Sequence, residues 1–315
     1  MAAGSRARGR AHGGVGRHLA VPLVMVLVFG GIAGGSYLAL ERYGSPAHEG
    51  TCVASGLGTS HRYTTDRVAN AALISATAVD RGMPPRAASI ALATAYQESQ
   101  LQNIDYGDRD SLGLFQQRPS QGWGTEEQIM DPVYASNAFF DVLETYPDYT
   151  SADINDIAQQ VQRSGHPEAY RDHETEGRLY ASALTGQSGA NLLCTLDEVG
   201  ATASPEQLRG ELARQFPRAT ESGRVTSSLD SAAGAAPQVP EGAGATALVL
   251  DPGGDETLGW SLANWAVARA ADDGVVQVSY RGRVWDRTAH GEEAGAWGSA
   301  EGGDPERVVV LVSGR

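Results

Sequence analysis

The run Ala95-Tyr-Gln-Glu98-Ser99 puts one carboxylate at the end of a segment otherwise built from small residues. Asp105-Tyr-Gly-Asp-Arg-Asp-Ser-Leu-Gly113-Leu-Phe-Gln116-Gln117 follows it closely. A glycosidic bond breaks when an acid protonates the leaving oxygen, and burial keeps a carboxyl protonated by disfavouring its charged form. Glu98 has Ile90, Ala95 and Leu101 near it in sequence. A glutamate at a helix end is by itself an ordinary solvated charge. What makes Glu98 a candidate general acid is the Gly-rich, amide-rich loop aimed back at it.

Three further carboxylates, Asp105, Asp108 and Asp110, lie on that loop. An inverting hydrolase needs a second carboxylate about 6.5 to 9.5 Å from the acid, with water between. Asp108 is the candidate base. The first-ranked reading of the trio is structural, with the side chains bonding local amides and Arg109 in a turn. Gln117, Arg118 and Trp123 have the chemistry of a carbohydrate subsite, amides for hydroxyls and an aromatic face for a ring; Trp123 as a plug in the core is an equal alternative. Neither cysteine has a second Cys or a His at metal-ligand spacing, so no metal and no cofactor are expected.

The elements that must position these groups read as helices. Thr65 or Asp66 caps a helix through Val68, Ala72, Ile74 and Val79 that stops at Gly82. Pro85 then opens a helix over about 85–99, where Ile90, Thr94 and Glu98 share one face. Thr125-Glu-Glu-Gln128 is a capping box, and Asp131-Pro132 starts a helix carrying Phe139 and Phe140. Ile154, Ile157 and Val161 have helical spacing, and Pro167 opens a last helix to about Leu184. This region, 63–194, is expected to be all-helical, with no strand pattern. Beyond it come one amphipathic helix with Leu208, Leu212 and Phe216 aligned and a Ser/Ala/Gly/Pro-rich linker from about 219, together spanning 195–244. A small α+β module over 245–315 follows, with strands near 245–250, 275–280 and 307–312 and a helix near 257–271. The fold class expected for the whole chain is mainly α.

Compartment follows from the N-terminus. Residues 1–18 carry Arg6, Arg8, Arg10 and Arg17 and no acid. Residues 19–40, opening on Leu19 and closing on Leu40, hold no charged side chain and are long enough to cross a bilayer. The basic flank predicts a single-pass plasma-membrane protein, with a cytoplasmic tail, a juxtamembrane stretch over 41–62 and its bulk outside. Cys52 and Cys194 bracket the Glu98 region. A disulfide between them fits an oxidising compartment, two buried thiols being the alternative. Net charge is −14, and because phosphate binding needs clustered cations, so acidic a chain is not expected to bind nucleic acid.

Glu98-Ser99 followed by Gly113-Leu114-Phe115-Gln116 resembles the motif of the soluble lytic transglycosylases and goose-type lysozymes, where Glu-Ser is followed at this spacing by Gly-Leu-Met-Gln. The likeness runs through Asp131-Pro132 and Phe139-Phe140, over roughly 65–185. Residues 97–124 also resemble an actinobacterial membrane-anchored family with a lysozyme-like domain. The resemblance implies a lysozyme-like helical domain and cleavage of peptidoglycan glycan strands. It implies Glu98 as general acid, Ser99 as support for the helix end and Gln116 as a groove residue. Two positions depart from it. Val161 stands where the enzymes carry a tyrosine that reaches the acid, leaving Gln162 or Tyr170 to take that place, and Ala135 stands where an asparagine is usual. A catalytically inert wall-binding or scaffold protein is therefore the alternative to an enzyme.

The C-terminal segment, with Trp260, Trp265 and Trp285, resembles a module appended to other exported wall proteins. It has Asp304-Pro-Glu-Arg where some relatives have a histidine-containing run. No metal and no catalysis are expected there. The tryptophans are expected in its core, and an envelope-protein partner is the expectation by association.

Overall fold

The computed structural model describes residues 50–56, 58–163, 168–196, 204–291 and 294–314. The chain opens with an antiparallel hairpin, β1 (Gly50–Gly56) and β2 (Thr59–Thr64), which runs directly into helix α1 (Thr65–Asp80). Gly82, at φ +71, turns the chain toward α2 (Pro85–Ser99), whose first residue is the expected proline. The one-turn α3 (Glu126–Ile129) carries the reciprocal Thr125–Gln128 capping box, and Asp131 caps α4 (Pro132–Leu143) through the Val133 amide. Helices α5 (Ile154–Gln162) and α6 (Glu174–Leu184) complete this layer. The last helix begins at Glu174 after a 3-10 turn at Arg171–His173; Pro167, expected to open it, lies outside the described residues.

Strand β3 (Leu192–Leu196) then returns to the hairpin, giving a three-stranded sheet in the order β2-β1-β3. Cys52 and Cys194 are cross-strand partners in it and are disulfide-bonded. This sheet corrects the all-helical expectation. Its strands are short, β1 and β2 are rich in Gly, Ser and Thr, and β1 finds β3 only from the far end of the helical layer, so no local alternation announces them.

A second sheet of six antiparallel strands follows, ordered β4-β5-β9-β6-β7-β8: β4 (Thr226–Ser231), β5 (Ala243–Asp251), β6 (Val275–Tyr280), β7 (Arg283–Asp286), β8 (Trp297–Ser299) and β9 (Val308–Ser313). With helices in layers against two antiparallel sheets, the fold class is α+β rather than mainly α, and the fold is not an all-helical lysozyme-like one. From 204 onward, the segment read as a helix and linker is largely regular structure. It holds α7 (Pro205–Gln215), α8 (Pro217–Glu221), edge strand β4 and the single turn α9 (Ala232–Ala235). Its small residues pack rather than swing: Ala232 and Ala235 cover Val249, Val309 and Leu311 on one face of the six-stranded sheet.

Helix α10 (Glu256–Ala268) packs between that sheet and the helical layer. Ser261 donates to the Leu184 carbonyl and Asn264 to those of Ala183 and Gly189, at 2.7–2.8 Å. The indole N–H groups of Trp285 and Trp297 donate to the carbonyls of Cys194 and Leu192, both at 3.0 Å. One hydrophobic core therefore runs from α1 and α2 to Trp260, Trp265 and Trp285, and all described residues belong to one compact unit.

Among the described residues no helix is long and apolar enough to cross a membrane. The single-pass placement accordingly finds no support in the structure, and the 19–40 stretch that suggested it lies outside the described residues.

Candidate functional site

Helix α2 is alanine-rich because it is enclosed on several sides. Ala87, Ala88, Ala91 and Ala95 are fully buried, and Gly177 of α6 comes so near that a Cβ there would meet the Ser89 carbonyl at 2.9 Å. Larger side chains would push α6 away from the end of α2 that carries Glu98. The helix stops at two consecutive left-handed residues, Gln100 (φ 56) and Leu101 (φ 61), whose amides return to Tyr96 and Ala95. A left-handed backbone is costly for residues with a Cβ, so buried Leu101 must hold this turn through packing. Glu98 sits in the last turn, half-buried.

The following loop is pinned at several carbonyls. Ser99 Oγ, itself buried, donates to the Leu114 carbonyl at 2.8 Å and to Ala95 at 3.1 Å. Gln162 Nε2 donates to the Phe115 carbonyl at 2.7 Å. Gly113 lies at φ +75 where a Cβ would meet the Ile129 carbonyl, so this glycine is required by both conformation and space. Phe115 stacks on Phe139 at 4.7 Å, anchoring the loop in the core.

Glu98 lines an open cavity of about 560 Å³ together with Asp108, Gln116, Arg118, Trp123 and Gln162. Behind the carboxyl, the Tyr170 hydroxyl donates to Glu98 Oε1 at 2.6 Å, and the tyrosine is fully buried. This hydroxyl comes from the turn preceding α6, an element other than the one carrying Val161. That turn is in turn fixed: His173 bonds Glu176 Oε1 through Nδ1 at 2.7 Å and Gln97 Oε1 through Nε2 at 2.9 Å. An aromatic column links it to the small sheet, with Tyr96 against His173 at 4.6 Å, Tyr63 on Tyr96 at 5.1 Å and Tyr180 on Tyr63 at 4.5 Å. Burial pushes the phenols of Tyr63 and Tyr180 well above their ordinary value, and Glu176 adds to the effect at both. These rings stay neutral, and Tyr180 donates to the Cys52 carbonyl at 2.8 Å.

The other expected residues divide into two groups. Gln116, Arg118, Trp123, Gln162 and Asp108 line the cavity. Ser99, Gln117 and Tyr170 do not: Gln117, expected in a carbohydrate subsite, Ser99, expected to support the helix end, and Tyr170, offered as the group reaching the acid, are all buried and hold backbone or Glu98. Gln117, 1 % exposed, donates to the Ala135 carbonyl at 3.1 Å. Trp123 serves both readings, packing on the core while lining the Glu98 cavity and an adjoining one of about 340 Å³. Asp110 is structural: hydrogen bonds from the Ser120 side chain and amide and from the Arg118 guanidinium hold its carboxyl well below the usual carboxylate range. Asp108 has a side chain 89 % exposed with Arg109 at 3.7 Å, and Asp105 is exposed. Sequence reasoning missed Gln97, His173 and Glu176, although the His173-to-Glu176 spacing places the pair on one helical turn. It also missed Arg163, which lines both cavities.

No group of histidine, cysteine and carboxylate side chains among the described residues could hold a metal ion. No family model matches the chain, and no curated protein matches it.

Proposed function

We propose that this chain cleaves the glycan strands of peptidoglycan, with Glu98 as general acid and Tyr170 as the residue that positions its carboxyl. The observation that carries the reading is the Glu98 carboxyl at the wall of an open, polar groove, held from behind by a buried tyrosine hydroxyl at 2.6 Å. The resemblance of Glu98-Ser99 and Gly113-Leu114-Phe115-Gln116 to the motif of lytic transglycosylases and goose-type lysozymes suggests the substrate class. In the reaction, Glu98 gives its proton to the bridging oxygen as the C1–O bond breaks, and positive charge develops on the sugar ring. The sugar's own 6-hydroxyl then attacks C1 and returns a proton to Glu98, leaving an anhydro end. This route is favoured over water activated by a second carboxylate. The one other acid lining the cavity among the described residues, Asp108, is solvated and beside Arg109.

The test is solubilisation of purified peptidoglycan by the chain and by Glu98→Gln, with the products read by mass spectrometry. Anhydro ends from the wild type and none from the variant support the proposal; reducing ends would move the chemistry to hydrolysis. Equal release by the two proteins, or none by either, rejects it.

A further inference from the structure

The groove around Glu98 is lined by three arginines against two carboxylates, Glu98 and Asp108. The chain as a whole carries −14, yet Arg109, Arg118 and Arg163 all line this one cavity. Two of these charges are answered locally. Arg118 donates to Asp110 at 2.7 Å, and Arg109 faces Asp108 at 3.7 Å. Arg163 is not: it makes no hydrogen bond or ion pair among the described residues and is exposed. It ends α5 in the left-handed conformation (φ 52), immediately after Gln162, whose amide is fixed on the Phe115 carbonyl. Arg163 lines both the Glu98 cavity and the adjoining one, with Trp123 common to the two. A ligand spanning the groove would therefore bring any acidic substituent near an unanswered guanidinium. That group presents a planar fork suited to a carboxylate. The negative field of the whole chain would otherwise repel an acidic polymer, and cations confined to the groove offset that repulsion where the strand must lie.

We propose that Arg163 forms a subsite for a carboxylate on a side chain of the glycan, so that the groove prefers an acid-substituted strand to a neutral one. This rests on the reading of the Glu98 cavity as a glycan groove. The substituent it fits is the lactyl-linked peptide of a muramic unit, which places carboxylates beside the sugar backbone. A polymer of N-acetylglucosamine alone offers none.

Binding is measured by calorimetry on the full chain carrying Glu98→Gln, so that no turnover occurs. Two tetrasaccharides with the same sugar backbone are compared, one bearing stem peptides with free carboxylates and the other the same peptides amidated. The free-carboxylate ligand is expected to bind about 10-fold tighter or more, the scale of one charge-assisted pair, with the gap narrowing as salt rises. Arg163→Gln should reduce the gap to about 2-fold while leaving the amidated ligand unaffected, and Arg163→Lys should restore part of it. Equal affinity for the two ligands, or an equal loss on both in Arg163→Gln, overturns the carboxylate subsite and leaves the glycan groove standing. Failure of both ligands to bind overturns the subsite and the groove together, whereas binding of the amidated ligand alone overturns only the subsite.

Discussion

Tyr170→Phe removes a single oxygen from the site and leaves the buried ring in place, so it separates positioning from packing. The O···O distance of 2.6 Å lies in the range of charge-assisted O–H···O bonds, which contribute about 1.5 to 3 kcal/mol. If that contribution is made in holding the carboxyl in the transition state, kcat should fall about 10- to 150-fold. Tyr170 does not line the cavity, so KM should change by less than about 2-fold. Glu98→Gln removes the proton donor itself and should cost more, about 10² to 10⁴. The assay is the initial rate of soluble fragment release against substrate concentration, with thermal unfolding followed in parallel to confirm that the ring still packs. An unchanged kcat in a folded Tyr170→Phe protein would refute the positioning role. A KM increase with unchanged kcat would refute it too, since the bond would then act on binding alone.

Three other outcomes follow from the same geometry. Gly177→Ala should destabilise the protein by about 1 to 3 kcal/mol in a urea titration, because its Cβ would meet the Ser89 carbonyl at 2.9 Å, and it should reduce activity by moving α6 from α2; a neutral effect would mean the helices do not cross as described. Reducing the disulfide, which joins residues separated by 142 positions, should remove roughly 5 kcal/mol on loop-closure grounds, read as a lower Tm in reductant; an unchanged Tm contradicts this. Asp110 has a folded-state pKa depressed by Ser120 and Arg118, so its stabilising effect is complete above the unfolded value of about 4 and lost only as pH falls through the lower folded value. Its carboxyl NMR signal should stay constant while ordinary aspartates titrate; movement together with them would rule out the clamp.

Much of the helical layer was legible because its signals are local. The Thr125 capping box, Pro85 at a helix start and Asp131 before Pro132 each act within a few residues, and each is found where the sequence puts it. The apolar strand β9 and the buried β6 were legible for the same reason. Strand β4 was not. Thr226-Ser-Ser-Leu-Asp-Ser has a linker's composition and becomes an edge strand because β5 offers it a row of unpaired backbone groups. The three-stranded sheet was hidden likewise, since β1 contributes only small buried residues, Cys52 and Ala54, and its partner β3 lies beyond α6.

The candidate site divides along the same line. The sequence alone determined which residue types lie near Glu98 along the chain: the serine after it, the glycine that turns the loop, and Gln116 and Trp123 downstream. Periodicity and spacing report which face of an element is buried, but they carry no information about which distant element covers it. Only the tertiary structure decided that Tyr170, 72 positions away, reaches the carboxyl from a different element than the one carrying Val161. It also placed α10 and the second sheet in one core with α1 and α6, and in the groove it paired Arg118 with Asp110 while giving Arg163 no partner among the described residues. Those outcomes depend on long-range packing, in which each group's partner is set by the whole enclosure rather than by its neighbours along the chain.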